Sequence, residues 1–80
     1  MYYTYVLKSK KNNKYYIGYT SNLKQRLAKH NSGEVKSTKL GRPWVIFYYE
    51  KFDNIKEVVR REKQIKSWKN RSMIEKLKFK

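Results

Sequence analysis

Glu62 is the side chain whose chemistry departs most from its surroundings in this sequence. Ile55, Val58 and Val59 recur at helical spacing, and the same period predicts an apolar residue at position 62. A carboxylate that faces a core or a cleft is costly unless it is paired or bound to a cation, so Glu62 is a candidate functional residue. The alternative is an ordinary salt bridge, for which the candidate partners are Arg26, Arg61 and Lys66.

Arg26 and His30 form a second candidate pair, because side chains four residues apart lie on one flank of a helix. The helix is predicted to begin at a capping residue within positions 20–22 and to end at Gly33, which favours the left-handed conformation. Its predicted core stripe consists of Leu23, Leu27 and Ala28. A histidine at the surface of a helix is more often structural than functional, so the spacing alone leaves the role of His30 open.

Tyr5 and Tyr16 are predicted to share one face of a β-hairpin. The first strand is predicted from Tyr2 to Lys8 or Ser9 and the second from Lys14 to Tyr19, with a loop at positions 10–13. A four-residue loop pairs position 9 with position 14, which places Leu7 opposite Tyr16 and Tyr5 opposite Gly18. A shift by one residue would separate the two tyrosines. By themselves, both are typical of packing residues in strands.

The rest of the sequence predicts a small fold of the α/β class, of α+β type. Positions 34–42 predict a surface loop, and the apolar run Trp44 to Glu50 predicts a third strand well inside the sheet. A second helix is expected after a cap at Asp53 or Asn54, and a short last helix at about positions 71–78. The apolar side of that last helix is predicted to be Met73, Ile74 and Leu77. We therefore expect a three-stranded, mainly antiparallel sheet flanked by helices, as a single domain over residues 1–80.

Charge is the strongest compositional signal. The 80 residues include 21 Lys and Arg against six Asp and Glu, a net charge of +15, and basic residues occur in every segment. Such a field attracts polyanions, of which nucleic acid is the expected partner, although solubility alone explains some of the lysines. The absence of cysteine excludes disulfides and thiolate metal sites. With no signal peptide and no membrane span in the sequence, we expect a cytoplasmic protein without a membrane role.

The ordered motifs resemble those of the GIY-YIG nuclease superfamily. The segments "KYYIGYT", "NLKQRLAKHNSG" and "RREKQIKSW" follow one another with that superfamily's spacing, and the match is closest to its small stand-alone branch, the UPF0213 or YhbQ-like proteins. Tyr16, Ile17 and Gly18 form the second half of the motif. The first half departs from it, because Tyr3-Thr4-Tyr5 keeps the tyrosine but lacks the glycine. Tyr19-Thr20 also stands where some active relatives have a lysine.

The resemblance implies a metal-dependent nuclease that hydrolyses phosphodiester bonds of DNA. It implies that Tyr16 prepares the attacking water with Tyr5 as its partner, that Arg26 clamps the phosphate, and that Glu62 holds Mg²⁺ or Mn²⁺. His30 is implied to bind the phosphate or relay a proton. Asn70 is a weaker candidate at the edge of the site. Arginine suits phosphate through paired N–H donors, and a single carboxylate with water ligands is an ordinary magnesium arrangement.

The same residues also bear on how the protein would select its substrate and on an alternative function. Because the chain has no added recognition domain, binding is expected to depend on the nucleic-acid backbone, with any preference directed at branches, flaps or single strands. Sharper selectivity would require a homodimer or a partner protein. The alternative function is a nucleic-acid-binding module that keeps the fold and the charge without catalysis.

Overall fold

The structure is a computed structural model that describes residues 1–78, so the last two residues of the predicted domain lie outside the described part. Its elements in chain order are β1 (Tyr2–Ser9), β2 (Tyr15–Thr20), α1 (Leu23–Ser32), a 3-10 helix (Lys36–Gly41), β3 (Trp44–Phe52), α2 (Ile55–Trp68) and α3 (Arg71–Leu77). The predicted elements are present, with strand and helix bounds within about two residues of those expected. Within residues 1–78 no helix is long and apolar enough to cross a membrane.

The first strand, β1, is the central strand of the sheet. The order is β2-β1-β3, and both pairings of β1 are antiparallel. The prediction that β3 lies well inside the sheet was wrong, because β3 is an edge strand. An apolar run indicates that both faces of a strand are covered, but it does not indicate whether one or two strands pair with its edges.

The predicted hairpin register is confirmed. Tyr5 is opposite Gly18 and Leu7 is opposite Tyr16, and the hairpin is closed by a hydrogen bond of 2.8 Å from the Ser9 N–H to the carbonyl of Lys14. Asn13 takes a positive φ of 62° at the turn, a conformation that asparagine tolerates better than most residues. This register places both tyrosines of the site on one face of the sheet.

The two faces of the sheet carry separate hydrophobic clusters. On one face, α1 packs over a cluster whose buried members are Tyr5, Leu7 and Trp44. On the other, α2 and α3 contribute to a cluster whose buried members are Val6, Ile65, Ile74 and Leu77. A bulge leaves Phe47 as an extra residue of β3 between the partners of Val6 and Leu7. Because of it, Phe47 and its neighbour Tyr48 both pack against the α2 and α3 cluster.

Asparagine side chains begin all three α-helices within the described residues. The Asn22 carboxamide accepts from the Gln25 N–H and the Asn54 carboxamide from the Glu57 N–H, as the capping patterns predicted. Asn70 does the same for α3, so it has a structural role at that helix start. Gly33 ends α1 with a φ of 87°. Two predicted core residues are instead exposed, Ala28 on α1 and Met73 on α3.

Positions 34–42 form an ordered connection and not the predicted surface loop. Thr38 and Gly41 of the 3-10 helix are buried. The indole N–H of Trp44 donates to the Thr38 carbonyl at 2.8 Å, and the Ser9 hydroxyl donates to the Gly41 carbonyl at 2.5 Å. These bonds satisfy backbone groups that would otherwise be buried without partners, and they attach the 3-10 helix to β1 and β3.

Candidate active site

Tyr5 forms the floor of the candidate site. It lies on the central strand with 1% of its surface exposed, and its phenol ring crosses its strand partner Gly18. A Cβ atom at position 18 would be 2.6 Å from the Tyr5 hydroxyl oxygen and 2.8 Å from Cζ. The glycine of the Tyr-Ile-Gly motif is therefore the residue that makes room for the Tyr5 hydroxyl.

His30 is fully buried and joins Tyr5 to the 3-10 helix. Its Nε2 atom is 3.0 Å from the Tyr5 hydroxyl, and its Nδ1 atom is 2.7 Å from the hydroxyl of Thr38. The expectation of a histidine on the helix surface was wrong, since the 3-10 helix covers it. With both ring nitrogens engaged and no exposed surface, His30 does not contact a phosphate directly in this arrangement.

The hydrogen-bond partners indicate which way each proton points. Arg26 Nε donates to the Tyr5 oxygen at 3.4 Å, which leaves the Tyr5 proton for His30 Nε2. The Thr38 hydroxyl donates to the Val35 carbonyl at 3.3 Å, so it accepts from His30 Nδ1. We therefore assign the neutral tautomer with its proton on Nδ1. The result is one continuous chain of hydrogen bonds from Arg26 to the 3-10 helix.

Arg26 presents the remaining part of its guanidinium to solvent. One of its five N–H donors binds Tyr5, and the terminal amino groups have no hydrogen-bond partner within residues 1–78. Among the same residues, every buried side-chain nitrogen or oxygen has a partner, so these unpartnered groups reach the surface. The contact with Tyr5 raises the pKa of Arg26 further above its usual range. A cation that is held in place and has two neighbouring N–H groups without partners is suited to bind a phosphate.

Tyr16 packs its ring on the ring of His30. The two centroids are 4.9 Å apart with an interplanar angle of 60°, an edge-to-face contact, and Trp44 supports Tyr16 from a centroid distance of 6.4 Å. Tyr16 is half-buried, and its hydroxyl has no partner within the described part of the chain. By the same reasoning as for Arg26, that hydroxyl reaches solvent. Tyr16 is thus held in place and chemically accessible.

Burial sets the protonation of the two inner groups of the site. Desolvation raises the pKa of Tyr5 above 10.0, and it outweighs the opposing effect of the hydrogen bond from Arg26. Desolvation also lowers the pKa of His30 below 6.5, with the charge of Arg26 as the second cause. Burial therefore favours the uncharged form of both groups at neutral pH.

Glu62 lies on the inward side of α2, between the buried Val58 and Ile65. Its side chain is 12% exposed, which confirms that a carboxylate interrupts the buried stripe of this helix. Its Oε2 atom is 3.2 Å from Nζ of Lys66, so one of the predicted salt bridges is present. The charge of Glu62 contributes to the raised pKa of Tyr5, which places the carboxylate within electrostatic reach of the site.

The donor chemistry at Glu62 fits a magnesium-type ion with few protein ligands. A carboxylate supplies the hard oxygen that Mg²⁺ and Mn²⁺ prefer, and such ions commonly keep several waters and a substrate phosphate. Residues 1–78 contain no cluster of three or more His, Cys, Asp or Glu that would form an all-protein cage. Glu62 is the predicted site residue whose side chain would hold such an ion.

The structure brings four of the five predicted site residues into direct contact: Tyr5, Tyr16, Arg26 and His30. Glu62 lies on α2 and makes no hydrogen bond or ion pair with these four residues within residues 1–78, although its charge contributes to the raised pKa of Tyr5. Thr38 is the residue that sequence reasoning missed, because a threonine in a predicted surface loop gives no spacing signal. Asn70 is engaged in capping α3.

Comparison with known proteins identifies the family that this chain resembles. The family model described as the GIY-YIG catalytic domain matches residues 1–78. A UPF0213 protein of Staphylococcus haemolyticus is 44% identical over 68 residues, covering 84% of this chain and 82% of the relative. One from Halobacterium salinarum is 37% identical over 67 residues, covering 82% and 86%.

A solved structure of a similar protein has the same fold. The solution NMR structure of a UPF0213 protein from Bacillus halodurans superposes with a TM-score of 0.59 at 32% identity, covering 96% of this chain and 82% of that one. The predicted resemblance and the predicted fold class are both confirmed.

Proposed function

This chain belongs to the GIY-YIG catalytic domain family, and from that premise we propose that it is a metal-dependent nuclease that hydrolyses phosphodiester bonds of DNA. The family belongs to a nuclease superfamily. The observation that carries the proposal is the convergence of Arg26, Tyr5, His30 and Tyr16 at the positions of the family motif. The four side chains come from two strands and a helix, so their contact is not a result of sequence proximity.

Arg26 is the residue that binds the phosphate. Its Nε contact with Tyr5 fixes the plane of the guanidinium, and the terminal N–H groups supply two donors to the non-bridging oxygens of one phosphate. Hydrolysis adds negative charge to these oxygens in the transition state. A cation that is already positioned stabilises that charge without reorganisation during the reaction.

Tyr16 is the residue that orients the attacking water. Its hydroxyl is the solvent-reaching phenol of the site, whereas Tyr5 is buried and protonated. The Tyr16 oxygen accepts a hydrogen bond from a water and directs a lone pair of that water at phosphorus. As the new P–O bond forms, the bond from phosphorus to the leaving oxygen breaks; the water loses a proton to solvent and the leaving oxygen takes one up from solvent. His30 and Tyr5 act as positioning residues, because His30 supports the Tyr16 ring and Tyr5 holds Arg26.

Glu62 would hold the divalent ion, Mg²⁺ or Mn²⁺. When bound, such an ion supplies positive charge to the phosphate and to the leaving oxygen. The chain's contribution is a carboxylate that is mostly shielded from water, where its interaction with a cation is stronger than at an exposed position. The Lys66 ammonium lies 3.2 Å from Oε2 of that carboxylate, so it would compete with the ion for Glu62.

Residues 1–80 are proposed to act as one domain on DNA in the cytoplasm. The match of the family model to residues 1–78 supports a single domain, and the absence of cysteine fits a reducing compartment. The net charge of +15 supports binding through the DNA backbone, and any selectivity is expected to come from DNA structure, a homodimer or a partner protein.

A non-catalytic nucleic-acid-binding module is the second candidate function. One observation favours it: Glu62 already forms an ion pair with the Lys66 ammonium. The sequence Tyr19-Thr20, where some active relatives have a lysine, points the same way. Salt-dependent binding does not separate the two functions, because release of counterions predicts it for both.

Cleavage of labelled substrates separates the two functions. Single-stranded, duplex, flap and branched DNA, together with RNA, are incubated with the protein in Mg²⁺, Mn²⁺ or EDTA. Wild type is compared with Glu62→Gln and Arg26→Ala. Two exposed residues of α2 provide matched controls, Glu57→Gln for the acid and Arg60→Ala for the arginine.

The proposal expects metal-dependent cutting that falls about 100-fold or more in both site variants, while the controls cut like wild type. Circular dichroism and binding in EDTA show whether each variant remains folded and able to bind. Binding without cutting in any metal, unchanged by Glu62→Gln, would establish the binding module instead.

A further inference from the structure

A basic, aromatic cleft lies beside the candidate active site, at the start of α1. It has a volume of about 370 Å³ and is called here the Tyr3–Tyr49 cleft. Its lining residues are Tyr3, Ser21, Asn22, Leu23, Lys24, Tyr49 and Lys51. None of these seven described residues carries a negative charge. The catalytic arrangement proposed above uses none of them.

The cleft and the candidate site share both of their walls. Tyr49 is the strand partner of Tyr5, and Tyr3 precedes Tyr5 by two residues, so these three side chains lie on the same face of the sheet. On the helix side, Leu23 lies one turn before Arg26. The cleft therefore adjoins the position proposed for the phosphate.

The chemistry of the cleft suits a nucleobase and its phosphate. Tyr3 and Tyr49 meet edge to face with centroids 6.0 Å apart, and Tyr49 is 51% exposed, so its ring offers surface to a ligand. Lys24 and Lys51 are both exposed on opposite sides of the cleft, one on the helix and one on the strand. Tyrosine rings stack on bases of any sequence, and lysines neutralise the backbone beside them.

We infer that the Tyr3–Tyr49 cleft holds one unpaired base of the nucleic-acid strand whose phosphate lies at Arg26. A base in a duplex is stacked between its neighbours and does not present its ring face, whereas a base in a single strand or at a flap does. The substrate class that follows is nucleic acid with unpaired nucleotides next to the cutting position. This inference rests on the proposed function for the position of the phosphate.

The experiment compares two strands with equal charge. A fluorescein-labelled six-nucleotide thymidine strand and an abasic strand of the same length are bound to the full chain in EDTA, at one fixed salt concentration. Fluorescence anisotropy gives the affinity of each. The proteins are wild type, Tyr49→Ala, Tyr49→Phe and Tyr19→Ala. Tyr19 is a matched control, because it is 41% exposed and pairs with Thr4, which places it on the opposite face of the sheet.

Wild type is expected to prefer the thymidine strand by about tenfold. Tyr49→Ala removes most of that preference and leaves the affinity for the abasic strand unchanged, which shows that the variant is folded. Tyr49→Phe and Tyr19→Ala keep the preference. Equal affinity of wild type for both strands overturns the inference, and so does an equal loss of preference in Tyr19→Ala.

The binding readout is independent of catalysis. If wild type prefers thymidine but does not cut any DNA in Mg²⁺ or Mn²⁺, the nuclease proposal fails while the base-binding cleft stands. If wild type cuts but shows no preference for the thymidine strand, the cleft inference fails while the nuclease proposal stands.

Discussion

The hydroxyl of Tyr5 occupies the space in which a side chain at Gly18 would begin. A Cβ atom at position 18 would be 2.6 Å from that oxygen, closer than non-bonded atoms approach. The two residues are strand partners, and the Tyr5 hydroxyl in turn binds Arg26 and His30. Gly18 on β2 thus determines the position of the Tyr5 phenol on β1. That phenol in turn determines the position of Arg26, the arginine proposed to bind the phosphate.

Gly18→Ala is expected to displace the Tyr5 ring. The added methyl group conflicts with a buried ring on the central strand, which costs about 1–3 kcal/mol of unfolding free energy. Urea unfolding measures that loss. In a Tyr5→Phe background the penalty should be smaller but still present, because the oxygen is gone and Cζ, at 2.8 Å, remains. An equal penalty in both backgrounds would show that the strain arises elsewhere.

Thr38→Val is expected to destabilise the protein although valine has the same shape as threonine. It leaves the buried His30 Nδ1–H without an acceptor, a loss of about 1–3 kcal/mol in unfolding free energy. Thr38→Ser retains the hydroxyl and should therefore recover most of the lost unfolding free energy. The adjacent, exposed Ser37→Ala is the control and should be neutral. A neutral Thr38→Val would contradict the assignment of the proton to Nδ1, which ¹⁵N NMR of His30 reads directly.

Stability is expected to fall as the pH drops below 6.5. Burial lowers the pKa of His30 in the folded protein, so the unfolded chain binds a proton at a pH where the folded protein does not. The stabilising contribution is therefore present above pH 6.5 and decreases as the pH falls from 6.5 toward the lower pKa that His30 has in the folded protein. His30 is the only histidine of the sequence, and histidine is the side chain whose ordinary pKa lies in this range.

Urea unfolding between pH 5 and 7 measures this dependence, and NMR titration of the His30 ring measures its pKa directly. His30→Gln should remove the slope in this range. If the NMR titration gives His30 a pKa of 6.5 or higher, His30 is excluded as the source of the pH dependence of stability. This test does not require the His30→Gln variant to fold.

Lys66→Ala is expected to improve metal binding slightly. The Lys66 ammonium competes with the ion for Glu62, but Lys66 is 51% exposed, and ion pairs of this kind contribute only about 0.3–0.5 kcal/mol. The dissociation constant for Mn²⁺, measured by electron paramagnetic resonance of the free ion, should fall by about twofold. Lys63→Ala on the same helix is the control for net charge. An equal shift in both variants would mean that Lys66 does not compete at Glu62.

Sequence patterns that span only a few residues predicted the hairpin register, the helix starts and the inward side of α2. The length of the first loop predicted the pairing of Tyr5 with Gly18, and asparagines placed three residues before a helical N–H predicted the starts of α1 and α2. The inward position of Glu62 followed from helical periodicity. Each of these depends on residues a few positions apart, which is the range over which turn geometry and helix geometry act.

The sequence did not predict features that depend on distant partners. Apolar residues in β3 indicated covered faces but not its place at the edge of the sheet. His30 was expected at a surface because nothing in its own helix covers it, and the 3-10 helix that does so was expected to be a loop. The contact of Thr38 with His30 joins two polar residues across a turn, and no periodicity predicts such a pair.

The central place of β1 has a consequence for how the protein is made. Its partner β2 follows after a short loop, but its other partner, β3, ends at Phe52, so that edge of β1 is unpaired until more than half of the chain has been synthesised. An unpaired edge on an apolar strand is a site for association between nascent chains. During synthesis, the strand that carries Tyr5 therefore keeps one edge open to other chains until β3 pairs with it.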